Sequence, residues 1–340
     1  MSQYYYNPFG NSSDVNEAMQ RELYKQQRIK QEKHEIRMIS LSMGCAIVAY
    51  LVIQTLVSGL LTIFGLYDLY MNNPVFQYSF TIIGVSFASV AVPFGVMALV
   101  NKKRYTAPVI PNKRLKASKS FTWICFGMVC CCAAQIAVSL IVAIFQELFH
   151  LELKSGEVNE PNSVWACIMC MIGLAIIPAI CEEFAMRCCS LQLLKKYGKG
   201  FGVVAVSIVF GLLHGNVVQF IFAFAIGLVL GFITVRTDSI VPAVFIHALN
   251  NSMSVVQLSV KYFAGEKVST YAVSAIYIFW TIAGIIAGIY LLIKKELIKK
   301  DKSDISVLTN GQKFTAFLFP FMIIPFAILI VLTALTVSKI

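Results

Sequence analysis

Eight stretches of this chain run for twenty or more residues without an Asp, Glu, Lys or Arg: Ile39–Leu66, Ser79–Val100, Phe121–Gln146, Asn162–Cys181, Asn216–Val235, Ser239–Val260, Ser269–Ile293 and Phe314–Ser338. About 20 residues of helix cross the roughly 30 Å of hydrocarbon in a bilayer, so each is long enough to span one. A ninth run, Gly200–Leu213, reaches only about 21 Å as a helix and needs sheltering neighbours to cross. Backbone polar groups find no partner in lipid, and a helix satisfies them internally. The fold expected is all-α, a polytopic transmembrane bundle of about nine spans. With 58% hydrophobic and 13% charged residues among 340, the chain lies outside the soluble globular range.

Lys and Arg content of the connections orients such a bundle. Lys102, Lys103, Arg104, Lys113, Arg114, Lys116 and Lys119 lie between the second and third spans without an acid among them. Lys195, Lys196 and Lys199 follow the fourth span, Arg236 follows the sixth, and Lys294, Lys295, Lys299, Lys300 and Lys302 follow the eighth. The alternate connections hold Asp68, then Glu152, Glu157 and Glu160, and few bases. Nine spans with a cytoplasmic N-terminus fit all of them, placing Lys116 and Lys299 inside and Glu157 and Ile340 outside. The net charge of +11 is then mostly a topology signal, and no nucleic-acid partner is required. The expected setting is the plasma membrane, with the lipid bilayer itself as partner. Residues 1–38 form a polar cytoplasmic extension, and residues 39–340 form the membrane domain. Within the extension Asn16–Arg37 is expected to be a surface helix leading into the first span, and Met1–Asp14, rich in Tyr, Asn and Ser, to be disordered. A secretory signal peptide is not expected, because the apolar run starts too late and is too long.

Most of the ten cysteines fall inside spans, where a small apolar side chain packs well. Cys167 and Cys170 make a CxxC, but no second pair or suitably spaced histidines complete a zinc site. No internal repeat is evident.

Ionisable groups inside a span are costly, and several at related depths point to a functional site. Glu182, Glu183 and Arg187 follow the run Asn162–Cys181, and His214 and His247 interrupt later apolar stretches. If the fourth span continues as a helix to Lys195, with a kink at Pro178, Glu182 lies about 20 Å from that end. By the same rise His214 is about 22 Å from Lys199, and His247 and Asn251 are about 12 and 18 Å past Ser239. Glu183 and Arg187 are four apart, a spacing suited to an ion pair on one helix face, and Glu182 is rotated about 100° away and left free. His247 and Asn251 are also four apart, as are Phe210 and His214. Taken singly, an i,i+4 Glu–Arg pair is as often structural as functional, and a lone histidine on an apolar helix is more often a packing residue. Their convergence at one depth favours a site.

The segments Glu182-Glu183-Phe-Ala-Met-Arg187, Phe210-Gly-Leu-Leu-His214 and His247-Ala-Leu-Asn-Asn251 resemble the EExxxR, FxxxH and HxxxN motifs of the CPBP family. That family includes the type II CAAX prenyl endopeptidases and the bacterial Abi and bacteriocin-processing proteins. The motifs span about a fifth of the chain, within a core expected at about residues 121–293 and centred on helices around residues 162–260. The resemblance implies an intramembrane endopeptidase acting on membrane-associated or prenylated-type substrates. Peptide hydrolysis needs an activated water, an oxyanion site and a proton for the leaving amine. Glu182 suits the base, His214 the orientation of water, and His247 and Asn251 the oxyanion, an allocation the resemblance also implies. Glu183, Arg187 and Phe210 are supporting residues. No cofactor is expected on this scheme. The alternative is a Zn²⁺ held by Glu182, His214 and His247, although there is no HExxH and only Glu183 remains as base. Two non-hydrolytic readings stand beside these: a membrane scaffold or bacteriocin-immunity protein, and a proton-relaying transporter, for which no inverted repeat in hydropathy is found.

Overall fold

The N-terminal helix α1 (Ser12–Ile63) carries the polar extension without a break into the first apolar run. At 1.5 Å per residue it is about 78 Å long, more than twice the hydrocarbon thickness; its residues 16–27 are exposed, and Glu32 and Glu35 pack against Ser306 and Lys196. The structure is a computed structural model and describes residues 12–153, 158–298 and 306–339. The disordered leader expected over Met1–Asp14 falls mostly outside those residues, and its last three positions, two serines and an aspartate, open α1.

A short helix α2 (Tyr67–Asn72) turns the chain into α3 (Pro74–Val100), followed by α4 (Ala117–Phe149) and α5 (Val164–Tyr197). Then come α6 (Lys199–Leu212), α7 (Val217–Thr237), α8 (Val241–Ala264) and α9 (Glu266–Ile293). The last run is split into α10 (Asn310–Leu318) and α11 (Ile323–Ala334), bent by 82°. Pro320 stands at that break, where it cannot continue a helix. Strand β1 (Leu151–Leu153) pairs antiparallel with β2 (Val337–Lys339), the one exception to an all-α fold among the described residues.

All nine apolar runs are helical, but they are not equivalent. Six helices are long and apolar enough to cross a membrane, or seven if the bent pair counts as one. α6 has 14 residues, and α8 has the length but gives up hydropathy to His247, Asn250 and Asn251. The count of about nine therefore treats as equal two segments whose physics differs from the rest.

Contacts between connections fall into two sets. On one side Lys119 pairs with Glu296 at 2.8 Å, Lys195 with Asp238 at 3.6 Å and Lys196 with Glu35 at 3.1 Å, and Asn112 bridges to Ser239. On the other, Lys261 pairs with Glu160 at 2.7 Å, the Tyr78 hydroxyl donates to the Asn159 carbonyl, and β1 meets β2. Every contact joins connections that the loop charges assign to the same side. Glu157, Lys299, Lys300, Lys302 and Ile340, which entered the same charge argument, lie outside the described residues.

Packing forms three apolar clusters. One joins α1, α3, α5, α6 and the α10–α11 pair around Phe94, Met186, Phe210 and Phe317. A second joins α4, α7, α8 and α9 around Trp123, Leu230 and Ile246, and a third links Tyr78, Cys170, Ala175 and Val255. The outer surface carries Leu56, Ile63, Val92, Ile278 and Ile286, all more than half exposed. Such a surface suits acyl chains as its solvent.

Candidate active site

The candidate site residues are carried by α5, by α6 and the turn after it, and by α8. α5 is not a uniform α-helix: wide π turns over Met171–Ile176 and Phe184–Ser190 flank one α-helical stretch, Ile177–Glu183. Glu182 and Glu183 close that stretch, with Pro178 at its start. Pro178 has no N–H to give the Leu174 carbonyl one turn earlier. Asn251 on α8 donates to that carbonyl through Nδ2 at 3.4 Å, so the proline on one helix creates the acceptor for the other.

Glu183 and Arg187 are almost completely buried, with Arg187 Nε 3.0 Å from Glu183 Oε2. The Arg187 guanidinium also lies over the Phe210 ring, 5.3 Å from its centre. The other Glu183 oxygen, Oε1, is 3.0 Å from His247 Nδ1. A carboxylate only accepts, so Nδ1 carries the hydrogen in this contact. Glu183 is thus a pivot between Arg187 on its own helix and His247 on α8. Sequence spacing showed the first contact and missed the second, because a partner 64 residues away leaves no local signal.

Glu182 lies differently. Its side chain is 24% exposed, where that of Glu183 is 0%, and it faces a cavity of about 430 Å³. Its Oε2 is itself buried, 3.7 Å from His247 Nε2 and so beyond hydrogen-bond length, and has no hydrogen-bond partner among the described residues. His214 and Asn251 line the same cavity. His214 Nδ1 is 2.8 Å from the Phe210 carbonyl, which fixes the hydrogen on Nδ1 and leaves Nε2 to accept. The Phe210 ring stands edge-on to both imidazoles, 4.9 Å from His214 and 5.8 Å from His247. Glu182, His214, His247 and Asn251 therefore share one cavity, with Glu183, Arg187 and Phe210 packed behind them.

Other residues at the site were not singled out from the sequence. The Tyr50 hydroxyl on α1 donates to the Leu213 carbonyl at 2.8 Å, beside His214, and accepts from Gln54 Nε2 at 3.0 Å. Asn250, Gln135, Gln219 and Tyr277 also line the cavity. Their only signal in the sequence is an amide or phenol within an apolar run. The donors of the zinc alternative, Glu182, His214 and His247, line this one cavity, and no three His, Cys, Asp or Glu side chains among the described residues are gathered as a metal site.

A helical membrane protein that turns an acid, two imidazoles and an amide into one cavity has the outline of an intramembrane hydrolase. Residues 163–253 match the family model of the type II CAAX prenyl endopeptidase, Rce1-like. This match places the segment in the CPBP/CAAX protease family, whose chemistry is proteolysis. It runs from the N-cap of α5 to the middle of α8 and contains Glu182, Glu183, Arg187, Phe210, His214, His247 and Asn251, while covering roughly a quarter of the chain. No curated protein and no solved structure matches the chain.

Proposed function

We propose that this protein is an intramembrane endopeptidase of the glutamate type, with Glu182 as the base. The observation that carries this is the division between the two acids: Glu183 is fully buried and spent on Arg187 and His247, whereas the Glu182 side chain is 24% exposed and lines the cavity. A water between Glu182 and His214 Nε2 gives its proton to Glu182 and attacks the substrate carbonyl. The oxyanion is held by His247 Nε2–H and by the Asn251 amide. For this donation the His247 ring carries hydrogens on both nitrogens, with the Glu183 carboxylate opposite Nδ1 as its counter-charge. Glu182 then returns the proton to the leaving amine as the C–N bond breaks. No step needs a metal ion.

The cavity volume lies within the usual range for ligand sites, and its walls are mainly apolar, which suits a peptide carrying apolar side chains or a prenyl group. Membrane-associated or prenylated-type substrates are therefore the proposed class, with the N-terminus cytoplasmic and the plasma membrane as location. Incubating purified protein with a farnesylated CAAX-type reporter peptide, and analysing the products by mass spectrometry, tests the reading. Release of the three-residue tail supports it, and an intact reporter contradicts it.

A further inference from the structure

α4 and α9 touch at one end and part at the other. At Gly284 they are so close that a Cβ would lie 2.4 Å from Val129 Cβ and 2.6 Å from the Cys125 carbonyl. Toward the start of α9 the helices separate, leaving a groove of about 730 Å³ on the outer surface of the bundle. Its walls are isoleucine and leucine side chains, but a polar ladder runs along it: Gln135 and Ser139 on α4, and Ser274, Tyr277 and Thr281 on α9. Spacings of three and four residues keep each set on one helix face.

Thr281 is hydrogen-bonded to Cys132, but the other four rungs are unusual in a span because they are unused. None of Gln135, Ser139, Ser274 and Tyr277 has a side-chain hydrogen bond among the described residues. Ser252 on α8 shows the ordinary solution, donating back to the Ala248 carbonyl of its own helix. Polar groups without partners in hydrocarbon carry a free-energy cost, so their alignment in a groove calls for an occupant with donors and acceptors of its own. An acyl chain has none. A partner helix has already paired its backbone internally. An extended peptide has free N–H and C=O groups repeating every 3.3 Å or so, which such a ladder can meet.

The groove also leads to the chemistry, since Gln135 and Tyr277 line both it and the cavity that contains Glu182, His214 and His247. We infer that the groove between α4 and α9 binds an extended polypeptide segment of a membrane-resident substrate, next to the bond presented to Glu182. This rests on the endopeptidase reading and adds to it where the substrate chain lies.

Full-length Glu182→Gln protein in nanodiscs, titrated with a dansylated, farnesylated CAAX-type peptide, measures binding apart from cleavage. Ser139→Val with Ser274→Val removes two rungs and is expected to weaken binding about tenfold. In a background with Glu182 intact, the same pair should raise KM by a similar factor with kcat and thermal midpoint unchanged. N-methylating the peptide backbone should weaken binding as well. The inference is overturned by no saturable binding, by an unchanged Kd in the double variant, by indifference to N-methylation, or by displacement of the peptide by a dansylated fatty acid. If groove variants weaken binding while the wild type cleaves nothing, the groove stands and the endopeptidase reading falls.

Discussion

Glu183 holds two cationic or hydrogen-donating partners with its two oxygens, and this makes it the residue on which the site's geometry depends. Glu183→Gln leaves the buried Arg187 without its counter-ion, a change that costs about 3–5 kcal/mol when one member of a buried pair is lost. Thermal denaturation in detergent should show a lower midpoint and folded yield for Glu183→Gln and Arg187→Ala; unchanged midpoints for both would contradict the pivot role. Asn251→Ala belongs to a different class. In the proposed reaction it removes a donor used in the transition state, so kcat should fall by about 10²–10³ with KM little changed. A rise in KM at constant kcat would assign Asn251 to substrate binding instead. Tyr50→Phe deletes the hydroxyl that braces the Leu213–His214 turn, and the loss should be about 0.5–1.5 kcal/mol in a denaturation midpoint. The i,i+4 spacing made the Glu183–Arg187 pair legible in the sequence. The contact of Glu183 with His247 and the reach of Tyr50 to Leu213 were not, since they join helices far apart in the chain.

α5 departs from regular helix on both sides of the stretch that carries its two carboxylates. The wide turns over Met171–Ile176 and Phe184–Ser190 change the residues per turn, so the faces drawn for a uniform helix hold only within Ile177–Glu183. A kink was expected from Pro178, but its further effect was not visible: it leaves the Leu174 carbonyl for Asn251. Pro178→Ala supplies an N–H to compete for that carbonyl. Cleavage should slow while the denaturation midpoint stays level or rises, because a helical hydrogen bond is gained as the Asn251 contact is weakened. Loss of stability without loss of rate would show that Pro178 serves packing alone. α6 illustrates the opposite case. Its 14 residues were read correctly as a run, and their shortness is what stops the chain at Leu213 and places His214 within the bundle. The helices were legible because a charge-free run of 20 residues has few alternatives in a membrane. The pairing of β1 with β2 and the groove between α4 and α9 depend on how remote segments pack, which no local pattern encodes.

At the scale of the molecule, two kinds of observation agree on how the connections are sorted: their Lys and Arg content, and the ion pairs and backbone contacts that join them. Cysteine-accessibility labelling should therefore find Lys116→Cys and Glu160→Cys on opposite faces of the membrane, the first of them cytoplasmic; labelling of both from one side would break the topology. The N-terminal extension is tied to the same face as the basic connections through Glu35, which pairs with Lys196 and accepts from the Tyr197 hydroxyl. That leaves the carboxylate of Glu182 facing a partly open cavity in an otherwise apolar bundle, and the account stands on its being the base. The direct test is turnover of the farnesylated CAAX-type reporter by wild type and Glu182→Gln, with the denaturation midpoint of each recorded in the same detergent and bound zinc measured in the wild type. Cleavage lost in Glu182→Gln at an unchanged midpoint, with wild-type activity unaffected by chelation, is the predicted result. Cleavage retained by Glu182→Gln, or stoichiometric zinc whose removal and return switch the wild type off and on, would contradict it.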